Sequence, residues 1–189
     1  MRALLAVLAA LTLVGLPAPS TPRAATVLQL DVPDQADLAD LIVEGTVLHA
    51  QPVEQLDGTV ATEYEVAVDA THWGEHRSTR VLRVPGGVLA SGRGTLVPGM
   101  PALSVGEEVL LLLSAESGRG WRIPVGLAQG KFRLTRAADG RRLAVRDARG
   151  ITQVGAAGSV EVEAAEVFEY ADVRARLEAA LNKRRAEGR

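Results

Sequence analysis

Three residues in the stretch ATHWGEHRST could act together: His72, Glu75 and His76 stand in the order His-x-x-Glu-His. On a helix, imidazoles four residues apart share one face and can hold a zinc ion, with the carboxylate between them activating a bound water. The surroundings predict a different conformation. Gly74 interrupts the motif, an alternating stretch precedes it, and a β-rich one begins near Arg80, leaving room only for a short loop. A third ligand would have to come from Glu161, Glu163, Glu166 or Glu169, which nothing in the sequence brings near. Residues 71–78 therefore read as a polar strand-to-strand loop. A small zinc-dependent hydrolase using His72, Glu75 and His76 is kept as the alternative.

Other constellations carry less. There is no Gly-x-Ser-x-Gly elbow for a serine nucleophile, and His49 stands alone at a predicted strand end. The two SGRG stretches, at 91–94 and 117–120, lead into no helix N-terminus, so a phosphate cradle is not expected there. Trp73 beside His72 is the more suggestive residue, because a tryptophan in a polar loop can anchor a partner or fold back onto the barrel rim, and Arg77, Arg80 and Arg83 nearby form either a solvated face or the rim of a protein interface. His72, Trp73, His76 and Arg77 are accordingly the candidate binding residues, and no catalytic residue and no cofactor are assigned.

The elements that would position this loop are short and β-rich. Residues 41–50 form a first strand in which Gly45 suggests a bulge or bend, and residues 62–70 alternate apolar and polar side chains around Tyr64, Val66 and Val68. Residues 78–84 follow as a third strand. A glycine- and proline-studded stretch then separates them from Val109, Leu110, Leu111, Leu112 and Leu113, the strongest apolar run after the N-terminus and the predicted central strand. Around the turn at Asp139 and Gly140, Phe132 and Leu134 pair with Leu143 and Val145 as inward residues, with Lys131, Arg133 and Arg146 outward. Asp172 can cap a terminal helix carrying Val173, Leu177 and Leu181 on one stripe, ahead of a charged tail expected to fray. Residues 159–170 fit either a last edge strand or an early start to that helix.

The N-terminus sets the expected compartment. Arg2, an uncharged Ala/Leu/Val run over residues 3–16 and a small-residue segment to Ala25 have the layout of a secretory signal peptide, too short for a spanning helix. Ala18-Pro19-Ser20 fits the small-x-small cleavage rule, whereas a cut after Ala25 would put Arg23 at the minus-three position. The expected organisation is a signal peptide over 1–25, one β domain over 26–170, and a helix with charged tail over 171–189. With no cysteine, disulfides and thiolate metal sites are excluded. The net charge of −2 and the lack of a basic block give no reason to expect nucleic acid, and no later apolar run is long enough to span a membrane.

In order, ADLIVEGTV, YEVAVDATHWGE, VLRVPGG and VGEEVLLLL resemble the netrin-like module of tissue inhibitors of metalloproteinases and its secreted bacterial cousins. The resemblance implies an OB-like small barrel of short antiparallel strands with a C-terminal α-helix, and an extracytoplasmic role in protein binding. The animal inhibitors chelate their target's zinc through an N-terminal cysteine and are cross-linked by disulfides. Neither feature transfers to a cysteine-free chain, so inhibition of a protease would need a different contact. The sequence thus leads to a secreted or periplasmic, mostly-β, non-catalytic module binding another extracytoplasmic protein, a protease being one candidate. A structural subunit of an envelope assembly, using the acidic 161–169 segment and the terminal helix, is the remaining alternative.

Overall fold

A computed structural model describes residues 25–149, 151–155, 158–162 and 164–188. The segment read as a signal peptide lies outside the described residues except for Ala25, the first residue of a strand.

The chain runs β1 (Ala25–Leu28), α1 (Val32–Leu38), β2 (Leu41–Glu54), β3 (Val60–Trp73), β4 (Thr79–Pro85), β5 (Gly87–Val88), β6 (Gly94–Thr95) and β7 (Glu108–Leu113). A 3-10 turn over Leu127–Gly130 leads to β8 (Lys131–Arg136), β9 (Arg142–Arg146), β10 (Ile151–Gly155), β11 (Gly158–Glu161), β12 (Glu166–Glu169) and α2 (Tyr170–Ala186). Seven strands form one antiparallel sheet in the order β12-β9-β8-β7-β2-β3-β4, while β1-β10-β11 and β5-β6 make small separate sheets. The protein is therefore mostly β with a C-terminal helix. No closed barrel is found among the described residues, where the sequence predicted one. Among these residues no helix is long and apolar enough to cross a membrane.

β7 is central in the large sheet because it is apolar on both faces. Leu110 and Leu112 join Ile42, Phe132, Leu134 and Ala144 under Val173, Leu177 and Leu181 of α2. Val109, Leu111 and Leu113 join Val43, Tyr64, Val66, Leu82 and Val84 in a second core on the other face. Full burial of one such leucine contributes about 1.5–3 kcal/mol, and each face alone would leave half of the strand wet.

β2 and β3 are longer than the sequence pattern indicated, because paired backbone carries the ladder through polar residues such as Gln51 and Thr71. Three register shifts bend this hairpin, between Ile42/Val43, Glu44/Gly45 and Val47/His49. A Cβ on Gly45 would overlap the Ala67 carbonyl, so only glycine fits the closest approach of the two strands.

On β9 the faces are opposite to those expected. Ala144 and Arg146 are buried while Leu143 and Val145 are half-buried. Ala144 fits flush against α2, and the Arg146 guanidinium is matched by Glu166 at 2.7 Å and by the rings of Phe132 and Phe168 at 5.8 and 5.2 Å. Lys131 likewise does not simply point outward, since its ammonium donates to the Ala102 carbonyl at 2.7 Å and pairs with Glu107 at 2.8 Å.

Residues 158–161 and 166–169 are strands, and α2 starts at Tyr170 with Glu169 at its N-cap, so Asp172 lies in the first turn instead of capping it. The helix runs on through the predicted frayed tail to Ala186. It is held there by Arg184, whose Nη1 donates to the carbonyls of Ala36 at 3.0 Å and Ala39 at 2.6 Å. A cation at the carbonyl end of α1 is favoured by the helix dipole as well as by the bonds.

Candidate binding site

The histidine loop is shorter than the sequence suggested. His72 and Trp73 are the last residues of β3, and only residues 74–78 form the connection to β4. The register passes from Val43 opposite Thr71 to Ile42 opposite Trp73, leaving His72 as the extra residue of a bulge. A bulge turns two consecutive side chains toward one side. Trp73 packs on the α2-facing core, and the His72 imidazole reaches the same side of the sheet, where its Nε2 lies 3.7 Å from Glu44 Oε2.

Glu44 is the centre of a buried polar cluster that the sequence reading missed. Its Oε2 accepts from the Tyr170 hydroxyl at 2.5 Å, and its Oε1 pairs with Arg142 Nη2 at 2.7 Å. Arg142 also lies over the Tyr170 ring at 4.4 Å. Burial pushes the Glu44 carboxyl upward, but His72, Tyr170 and Arg142 together outweigh it and hold the pKa at about 2. The Tyr170 hydroxyl, raised first by burial and then by Glu44, stands at about 12. These four residues come from β2, β3, β9 and α2, so the cluster fastens the helix to the sheet. A carboxylate inside the apolar stretch LIVEG was the signal available in the sequence.

The remaining members of the His-x-x-Glu-His pattern do not meet His72. Glu75 is gripped by Arg77, whose Nε and Nη2 donate to its carboxylate at 3.0 and 2.9 Å, and this holds its pKa below the usual range. His76 Nδ1 faces the Thr71 hydroxyl at 3.3 Å. Glu166 and Glu169 lie on β12, at the sheet edge opposite β4, paired with Arg146 and Arg141. Glu163 and the Glu161 side chain lie outside what is described. No group of three or more His, Asp or Glu able to hold a metal occurs among the described residues. The strand geometry of His72 is the physical reason, because the motif converges only on a helix.

Trp73 is half-buried at the end of β3 and packs against the core, the folded-back of the two placements the sequence left open. Its ring lies beneath the guanidinium groups of Arg184 at 4.2 Å and Arg185 at 5.8 Å. Trp73 and Arg185 border an open cleft of about 660 Å³, formed where the start of β2, the end of β3, the loop beyond it, Arg80, Arg122 and Arg185 converge. Arg122 is brought in by residues 121–124, which lie between β4 and β7. Its backbone N–H donates to the Arg83 carbonyl at 3.0 Å, and its side chain pairs with Asp40 at 2.9 Å. Arg80 donates to the Glu75 carbonyl, yet its Nε is buried without a partner. Burial first, then the charges of Arg77 and Arg122, hold the Arg80 pKa below its ordinary value against the opposing pull of Glu75.

Of the four predicted binding residues, His72 and Trp73 line this cleft, while His76 and Arg77 flank it on the adjoining loop. Arg80 is one of the neighbouring arginines read as a solvated face or interface rim, whereas Arg122 and Arg185 were missed, since they are distant in sequence and nothing local marks them. Comparison with known proteins finds no matching family model, no matching curated protein and no matching solved structure.

Proposed function

We propose that the chain is an extracytoplasmic, non-catalytic module that binds another protein through the cleft at the joined ends of β2 and β3. The observation that carries this reading is the convergence of five separated parts of the chain on one open cleft of about 660 Å³, with Trp73 beneath it and arginines around it. Concave sites that combine an aromatic wall with a few directed polar groups are where proteins hold ligands, and arginine and tryptophan are the residues that most often dominate a protein contact. The separation of His72, Glu75 and His76 favours binding over hydrolysis.

The OB-like arrangement belongs to the same proposal. Residues 121–124 bridge β4 through Arg83 and β7 through Leu113, which supports a ring of β2, β3, β4 and β7 curled around the second core. The leader-like N-terminus supports export, and the netrin-like strand rhythm supports a partner outside the cytoplasm, a protease among the candidates.

The test is affinity capture from the extracytoplasmic fraction of the source organism, comparing the wild-type protein with Glu75→Trp. The Glu75 side chain is 66% exposed, so an indole there obstructs the cleft without entering the core. A stoichiometric partner held by the wild type and lost by Glu75→Trp is the expected result. A partner held equally by both proteins would remove the cleft from the binding surface.

A further inference from the structure

The cleft is built around positive charge that the protein itself does not neutralise. Arginines elsewhere are mostly paired with carboxylates, as Arg83 is with Glu63, Arg93 with Glu54 and Arg149 with Asp147. At this end of the molecule Arg80, Arg184 and Arg185 are held by neutral acceptors instead. Arg80 donates to the Glu75 carbonyl, Arg184 to those of Ala36 and Ala39, and Arg185 to the Asn182 side chain at 2.9 Å and the His72 carbonyl at 3.4 Å. None of the three has a carboxylate within ion-pair distance among the described residues.

Resting on the binding reading above, we propose that the occupant of the cleft is a carboxylate-rich peptide segment of the partner protein, held by Arg80 and Arg185 with Arg122 beside them. Three observations favour this chemistry. The Nε of Arg80 is buried without a partner, so the protein leaves this guanidinium incompletely satisfied. The planar guanidinium fork matches a carboxylate. The volume of about 660 Å³ is far more than one isolated anion needs and suits a stretch of chain.

Asp40 and Glu75 narrow the choice further. They border the same cleft but are each engaged by an arginine, Arg122 and Arg77. A compact phosphate dianion would concentrate its charge near both carboxylates. An extended peptide places single charges at intervals and can set them at the arginines alone, while Trp73 offers apolar wall to the side-chain stems.

The test is fluorescence anisotropy of the whole protein with a labelled hexaglutamate peptide blocked at both ends, against hexaglutamine and hexalysine peptides and inorganic phosphate as competitor. Hexaglutamate is expected to bind with an affinity that falls steeply as salt rises, and the two control peptides are expected not to bind. Arg80→Gln and Arg185→Gln should each weaken binding by about tenfold, the loss of one charge-assisted hydrogen-bonded contact. Equal binding of hexaglutamine, unchanged affinity in both variants, or displacement by phosphate at concentrations below those of unlabelled hexaglutamate would each overturn the assignment. The salt dependence is read on the wild-type protein, so the proposal stays falsifiable even where a variant fails to fold. Loss of capture by Glu75→Trp without any hexaglutamate binding would sink the carboxylate chemistry and leave the binding reading standing. Capture unaffected by Glu75→Trp would sink the latter.

Discussion

Glu44 shows how a single residue couples the fold to pH. Its carboxyl stands at about 2 in the folded chain against an ordinary 4.5, so the ionised form favours the native state. The stabilisation is fully present above pH about 4.5 and is lost as pH falls toward 2, a contribution on the order of 3 kcal/mol. Thermal unfolding followed between pH 7 and pH 2 should therefore show a midpoint falling mainly below pH 4.5, and Glu44→Gln should flatten that fall. The flattening is partial, because Asp57, Asp139 and Asp147 are also held below the usual range by hydrogen-bonding neighbours. An acid slope identical in Glu44→Gln would show that the cluster contributes nothing. Tyr170→Phe removes the 2.5 Å bond from Glu44 and should destabilise the protein at neutral pH by about 1.5–3 kcal/mol, measured by urea denaturation. Wild-type stability in that variant would count against the hydroxyl as a tie between α2 and β2.

Among the elements, the β2–β3 hairpin does most to place the cleft, and its shape depends on where the register slips. Gly45 lies at one slip, with the Ala67 carbonyl where a Cβ would be. Gly45→Ala should cost about 1–3 kcal/mol through the strand displacement it forces, read as a lowered denaturation midpoint. An unchanged midpoint would mean that the hairpin opens there without strain. The bend at Gly45 was legible from a lone glycine in a β-rich run, and β7 from five consecutive apolar residues. The faces of β9 were not legible, because Leu143 and Val145 look like the inward pair until Arg146 is seen between two aromatic rings. Nor was the end of α2. Lysine and arginine near a C-terminus look solvated by composition, and only the carbonyl end of α1, 145 and 148 residues away, gives Arg184 its partners.

At the scale of the whole molecule, the large sheet buries both faces and leaves its charge unevenly matched. Many arginines are paired with carboxylates, whereas Arg80, Arg184 and Arg185, close to where α2, β3 and residues 121–124 meet, are held by neutral acceptors. The sequence indicated one corner of that site, at His72 and Trp73. Asp40, Arg122 and Arg185 are separated from it by long stretches of chain, so their meeting with it is a property of the tertiary structure that no local pattern encodes. Nuclear magnetic resonance mapping of the isotopically labelled protein, titrated with the blocked hexaglutamate peptide, tests the central claim most directly. Amide shifts confined to residues 71–80, 121–123 and the last turn of α2 are the predicted result. Shifts centred on β5 and β6 or on β10 and β11, with the cleft residues unmoved, would contradict it.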